Sequence, residues 1–271
     1  MNLDKFRRQF HTKVLAKAKE LQPLTSIWGT NSPLIQHTIN LAVSCLEEGE
    51  AYFEVGCLYG SSLAAANHGN EDKVKYCCDM EWQGDMPRLL REMPNLFNVQ
   101  SKYEDVVLAD FLKHPVGVYY FDGPHDYEPS LDGLNRILPF LSDKALILYD
   151  DIDGYGRAFN AWRTFAKTGT NRHLVTIVHE FWTPDQFLAC TKGYKDGWWD
   201  GFAIAEYEKN FDLRDESIED LAIQVWHGMG KYKDRHGHVY PEELKHIHGK
   251  EEQPFSEELI SPLEGFVIRR N

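Results

Sequence analysis

From Ala51 onward, short runs that are apolar at nearly every position alternate with segments whose apolar residues recur every three or four places. A strand without polar alternation must be covered on both faces, so this pattern specifies a mostly parallel sheet with helices on either side. AYFEVG, KVKYCCD, NVQSK, VGVYYFD and ALILYDD read as five successive strands. Between them lie helical patterns at Ser61–Asn67, at MPRLLREM, and along Leu131, Leu134, Leu138 and Leu141. A helix carrying Phe159, Trp162 and Phe165 follows the fifth strand. HLVTIVHEF and GFAIAEYE read as the sixth and seventh strands; no clear helix separates them, which predicts an antiparallel edge strand. The expected class is α/β, with a seven-stranded sheet.

This pattern divides the chain into three parts. Residues 1–48 read as an N-terminal helical extension: Leu3, Phe6, Phe10, Val14 and Leu21 share one face, and Ser32-Pro33 opens a second helix with Ile35, Ile39, Ala42 and Leu46 inward. Residues 49–209 hold the sheet. Residues 210–271 read as a C-terminal appendage, with a short helical face at Ile218, Leu221, Ala222 and Val225. Its His236, His238, His246 and His248 form two H-x-H pairs, which among Lys, Glu and Gly read as a solvated surface rather than a transition-metal site.

Charge and cysteine usage narrow the setting. Lys plus Arg is 29 against 42 Asp plus Glu, a formal net charge of −13. Such a surface repels phosphate backbones and anionic lipid, so neither nucleic acid nor a membrane is the expected partner. No apolar run approaches the ~18 residues of a membrane span. The first 22 residues are basic and amphipathic but lack the unbroken apolar stretch of a secretory signal. The five cysteines, Cys45, Cys57, Cys77, Cys78 and Cys190, form no disulfide or metal framework, which suits a reducing cytoplasm.

The chemistry concentrates at strand ends. FEVGCLYGSS joins the first strand to the next helix, and Gly56 and Gly60 allow backbone angles and close approaches that side chains forbid. Cys57-Leu58 breaks the dinucleotide fingerprint G-x-G-x-x-G. Glu54 precedes Gly56 by two, and Asp79 ends the second strand about 20 residues on, where a carboxylate can accept from both hydroxyls of a ribose. Taken together, E-x-G-x-x-x-G-x-S and the acidic strand-two end resemble the class I S-adenosylmethionine-dependent methyltransferases, which have a Rossmann-like sheet. The resemblance spans about Ala51 to Glu208. It implies that Glu54, Gly56, Gly60 and Ser61 lie around the methionine part of the cofactor. It further implies that Asp79 binds the ribose and that Tyr103, Glu104 and Asp122 complete the cofactor site.

A second cluster stands at the fourth and fifth strand ends. YFDGPHDY places Asp122 and His125 there, and LYDDID places Asp150 and Asp151 beside them. Carboxylates crowded in a partly dry cleft repel by several kcal/mol at about 4 Å. A hard divalent cation relieves that repulsion, and oxygen-only ligands favour Mg²⁺, Mn²⁺ or Ca²⁺. The constellation resembles metal-dependent O-methyltransferases of the catechol and antibiotic-sugar types. It implies Asp122, Asp150 and Asp151 as metal ligands, Mg²⁺ as the metal, and Asp122 and His125 as catalytic groups. The catechol type carries lysine where this chain has His125, a residue suited to general-base work. Asp126 and Asp153 are alternatives as helix caps, and His125 could instead bond to Asp151.

The expected activity is metal-assisted O-methylation of a small hydroxylated molecule. A metal-free methyltransferase using His125 and a non-catalytic S-adenosylmethionine-binding module remain open, and the broken fingerprint argues against a nicotinamide oxidoreductase. Trp182, Trp198 and Trp199, with Phe181, Phe187 and Tyr194, are candidates for an acceptor wall, as are Tyr155 and Arg157. The added helices are compatible with a homo-oligomer.

Overall fold

The computed structural model describes residues 1–14, 20–29, 31–151, 171–177, 202–209, 231–233 and 239–241, with Lys17, Ala158, Ala161, Trp162, Thr164 and Phe165. Of residues 171–177, 231–233 and 239–241 the backbone alone is described.

Seven strands form the main sheet: β1 (Ala51–Val55), β2 (Val74–Asp79), β3 (Leu96–Gln100), β4 (Val116–Phe121), β5 (Leu141–Asp150), β6 (Asn171–Ile177) and β7 (Phe202–Glu208). Their order is β3-β2-β1-β4-β5-β7-β6. The pairings β1–β2, β2–β3, β1–β4 and β4–β5 are parallel. The antiparallel pairings fall at the expected edge, but β7 is the strand that runs against its neighbours, and it lies inside β6 rather than outermost. Strand order reverses between β1 and β4, and an open α/β sheet binds its ligands beyond the carboxyl ends at such a point. A separate two-stranded ladder pairs β8 (Lys231–Lys233) with β9 (Val239–Pro241).

The helices are α1 (Leu3–Gln9), which runs on into a π-helical turn at Phe10–Val14, α2 (Pro33–Ser44), α3 (Ser61–Asn67), α4 (Met86–Glu92), α5 (Leu108–Phe111) and α6 (Tyr127–Arg136). Ser32 caps α2 as its position before proline implies, its hydroxyl accepting from the Ile35 amide at 3.2 Å. One correction concerns the leucine pattern after β4. Leu138 and Leu141 do not continue α6: Pro139 has no N–H and its ring crowds the preceding turn, so Leu138–Phe140 form a 3₁₀ turn and Leu141 opens β5. Trp162 and Phe165 are helical and fully buried, as expected of the segment after β5.

Alternation along the strands sorts two cores. Ala51, Phe53 and Val55 of β1 face a layer with Leu134, Ile137 and Trp162. Tyr52 faces the other layer, where Phe6, Ile35, Ile39, Val43 and Leu63 pack. The N-terminal helices therefore share the core of the sheet. Arg7 Nε donates to Glu206 Oε1 at 2.6 Å, and its second nitrogen bonds the other carboxylate oxygen, tying α1 to β7. A fork–fork pair of this kind fixes orientation better than a single ion pair. Truncating a fully buried aromatic such as Phe6 costs about 3–5 kcal/mol. No helix among the described residues is long and apolar enough to cross a membrane.

Candidate functional site

The turn between β1 and α3 is shaped by the protein's own packing. Gly56 and Gly60 have φ of 89° and 84°, a region costly for residues with a Cβ. A Cβ on Gly56 would overlap the carbonyl oxygen of Asp122, whose amide donates to Val55 O at 2.9 Å. A Cβ on Gly60 would collide with Leu89 and stand 3.0 Å from Met86 Sδ, both on α4. The glycines thus let the turn lie against the β4 exit on one side and α4 on the other. Asp79 holds the middle: its Oδ2 accepts from Leu58 N at 2.7 Å and its Oδ1 from Glu81 N at 3.1 Å.

Above this turn, at the strand-order reversal, opens a cavity of ≈ 550 Å³. Gly56, Ser61, Asp79, Tyr103 and Glu104 line one part of it, and Asp122, His125 and Asp151 another. Most of the expected cofactor set is thereby gathered around one space. Tyr103 is fixed by its hydroxyl donating to Gly133 O at 3.3 Å and by the Arg136 guanidinium 4.9 Å above its ring.

Glu54 stands differently. It lies on β1 with no exposure, on the strand face that α3 covers, and is not on the cavity wall. Tyr52 donates to its Oε2 at 2.8 Å, and Ser62, which does line the cavity, donates to Oε1. Burial pushes its carboxyl up to about 7, against the pull of those two hydroxyl donors. Its observed contacts join β1 to α3 from beneath the turn. Gly60 likewise sits behind the wall.

The acids at β4 and β5 meet through Tyr120. That tyrosine is fully buried, and its hydroxyl donates to Asp150 Oδ2 while lying 3.4 Å from Asp122 Oδ2. Burial, followed by the nearby Asp122 and Asp150 charges, pushes its hydroxyl well above the usual phenol range. Asp150 is itself buried, and its Oδ1 accepts from Asp151 N at 3.0 Å. The chain then turns: Asp151 takes φ of 55°, and its Oδ2 lies 3.4 Å from His125 Nε2. His125 and Asp151 thus lie side by side, in keeping with one of the alternatives that the sequence leaves open. Asp126 occupies the position before α6 without a side-chain capping bond.

This donor set does not fit a divalent cation as arranged. Both oxygens of Asp150 already accept protein donors, Asp151 is turned toward His125, and no group of three or more His, Cys, Asp or Glu among the described residues could hold a metal ion. A Mg²⁺ site requires near-octahedral oxygens converging on one point, which these bonds oppose.

Three contributors escaped the sequence reading. Gly29 and Asn31, from the segment before α2, line the cavity, and Asn31 Nδ2 donates to the Tyr120 hydroxyl at 3.0 Å. Tyr120 itself was legible in principle, since a residue two before Asp122 on a strand shares its face. Tyr155, Arg157, Asp153, the aromatic set Phe181, Trp182, Phe187, Tyr194, Trp198 and Trp199, the Ile218–Val225 face and the four tail histidines lie outside the described residues.

Residues 53–152 match the family described as a methyltransferase domain. No curated protein matches the sequence. Among solved structures, the chain is similar to TomG, an O-methyltransferase from Streptomyces achromogenes involved in tomaymycin synthesis and solved with SAM: 14% identity, 75% of this chain, 99% of that one, TM-score 0.46. It is also similar to SMU.1697c, a putative methyltransferase from Streptococcus mutans in complex with SAH, at 11% identity, covering 66% of this chain and 99% of that one, TM-score 0.46. CalS11, a TDP-rhamnose 3'-O-methyltransferase of calicheamicin biosynthesis, shows 17% identity over 58% of this chain and 76% of that one, TM-score 0.41. The matched segment carries Gly56 and Asp79, which line one cavity at the sheet's reversal point, and over residues 53–152 the chain is similar to a methyltransferase domain.

Proposed function

We propose that the chain methylates a hydroxyl oxygen of a small acceptor, with His125 as general base and Asp151 orienting it. The observation that carries this reading is the cavity itself, which brings His125 and Asp151 to the same space as Asp79 and the glycine turn. The cofactor supplies an electrophilic methyl group on a sulfonium. Gly56, Ser61 and Asp79 hold it, with Tyr103 and Glu104 farther along the wall. With acceptor and cofactor bound, His125 would take the acceptor's hydroxyl proton, and positioning by the walls would lower the entropic part of the barrier. Asp151, 3.4 Å from Nε2, sets the ring and stabilises the imidazolium that forms.

The route as written uses no metal: among the described residues no group of three or more His, Cys, Asp or Glu is arranged to hold one, and Asp151 lies against His125. Metal assistance through Asp122, Asp150 and Asp151 is the competing reading, favoured by the gathering of three acids at the ends of β4 and β5, two of them on the cavity wall. Transfer of a labelled methyl group from S-adenosylmethionine to a panel of small hydroxylated molecules, run in chelator, separates them. The expected result is chelator-stable transfer that His125→Gln suppresses. Transfer abolished by chelator and restored by Mg²⁺ supports the metal reading, and cofactor binding without transfer to any acceptor supports a binding module.

A further inference from the structure

The methyltransferase match begins at residue 53, yet the cavity wall includes Gly29 and Asn31. These residues belong to a segment laid across the start of α3. Gln36 of α2, itself buried, holds that segment with all of its side-chain amide. Its Oε1 accepts from Leu24 N at 2.9 Å, and its Nε2 donates to Asn31 O at 3.4 Å and to Ser61 Oγ at 3.2 Å. The next residue, His37, places Nε2 2.9 Å from Gln22 O. Gly29 passes so close to Ser61 that a Cβ would overlap the serine side chain. Trp28 meets Tyr59 of the glycine turn edge to face, with centroids 4.3 Å apart, although it is 57% exposed. At the far end Asn31 reaches the Tyr120 hydroxyl that holds Asp150.

We infer that residues 22–29 and Asn31 form a fixed wall over the methionine end of the cofactor site, and that Gln36 is the positioning residue that pins it to Ser61. The inference rests on the cofactor reading above and extends the binding site into the helical segment before the matched domain. Its chemistry is that of a buried amide whose oxygen and both N–H groups are engaged: each polar atom bonds either the wall or the residue the wall must meet. Loss of the amide unpairs Leu24 N and Asn31 O together, which frees the wall at both ends. A wall that touches bound cofactor but no reacting atom affects binding rather than the chemical step.

Two variants of the full-length protein test this. Gln36→Met keeps the side chain's volume without its hydrogen bonds, and Gly29→Ala leaves Gln36 intact while pushing the wall off Ser61. Isothermal titration with S-adenosylmethionine should show at least a tenfold weaker Kd in both. At saturating cofactor kcat should stay within threefold of wild type, and hydrogen exchange of the cofactor-free peptide covering residues 20–31 should quicken. A Kd within twofold of wild type in either folded variant, or a kcat loss without a change in Kd, overturns the inference. Should Gln36→Met fail to fold, Gly29→Ala decides alone. A wild-type protein that binds no cofactor defeats the functional reading itself, a result distinct from wild-type binding that the variants leave unchanged.

Discussion

Gly56 lies directly beneath the carbonyl of Asp122, so the first strand's turn and the fourth strand's exit form one rigid edge. The contact links the part of the cavity lined by Asp79 to the part that carries His125. Any side chain at residue 56 must displace one of them.

Gly56→Ala adds a Cβ where φ is 89° and the Asp122 carbonyl already stands. The backbone cost alone is about 1–2 kcal/mol, and the overlap adds to it. Calorimetry should show Tm lowered by roughly 5 °C or more, at about 2–4 °C per kcal/mol for a domain of this size. Cofactor affinity should fall at least tenfold with it.

Glu54 supplies a pH signature. Its carboxyl is raised by burial from 4.5 to about 7, so the folded state holds its proton more tightly than the unfolded chain. Stability from this group is fully present below pH 4.5 and is lost as pH rises through about 7. The loss is on the order of 3 kcal/mol. Glu54→Gln keeps the shape and removes the titration. Denaturant midpoints measured from pH 5 to 8 should fall for wild type relative to Glu54→Gln, with the difference levelling above about pH 7. Parallel curves for the two proteins would contradict the assignment.

His125→Gln should lower kcat by about 10²–10³, within the usual range for general-base removal, while S-adenosylmethionine affinity stays within threefold. Asp151→Asn keeps the size of the orienting partner but not its charge, and should cost roughly tenfold by the same rate measurement.

Metal removal should leave the enzyme unaffected. Dialysis against chelator followed by assay should retain wild-type turnover, because the proposed proton transfer runs through His125 and Asp151. The same geometry predicts that Tyr120→Phe destabilises the fold by about 1–3 kcal/mol, the cost of leaving a buried carboxylate short of a donor.

The sheet was legible because β1, β2, β4, β5 and β7 are apolar on both faces, a pattern few other arrangements tolerate. Helix α3 was bounded by Gly60 and Asn67, and α2 by Ser32-Pro33, each a local signal. The leucine series misled after Arg136 because periodicity does not register the proline that ends the helix. The resemblance implies Glu54 near the methionine part of the cofactor. Strand parity puts it with Tyr52 on the α3 side, so the face rather than the spacing decides its contacts. Gln36, Gly29 and Asn31 meet the site across separations of 25 to 119 residues, as in Gln36–Ser61 and Asn31–Asp150, and no local pattern encodes such contacts.

The proposed function requires that the cavity between Asp79 and His125 hold S-adenosylmethionine. Isothermal titration of the wild-type chain with that cofactor, beside Asp79→Asn, tests it most directly. Wild type should show one saturable site in the micromolar range and the variant a tenfold to hundredfold loss, since its side chain is a poorer acceptor for both the Leu58 amide and a ribose hydroxyl. No heat of binding up to millimolar cofactor, or equal affinity in the two proteins, would contradict it.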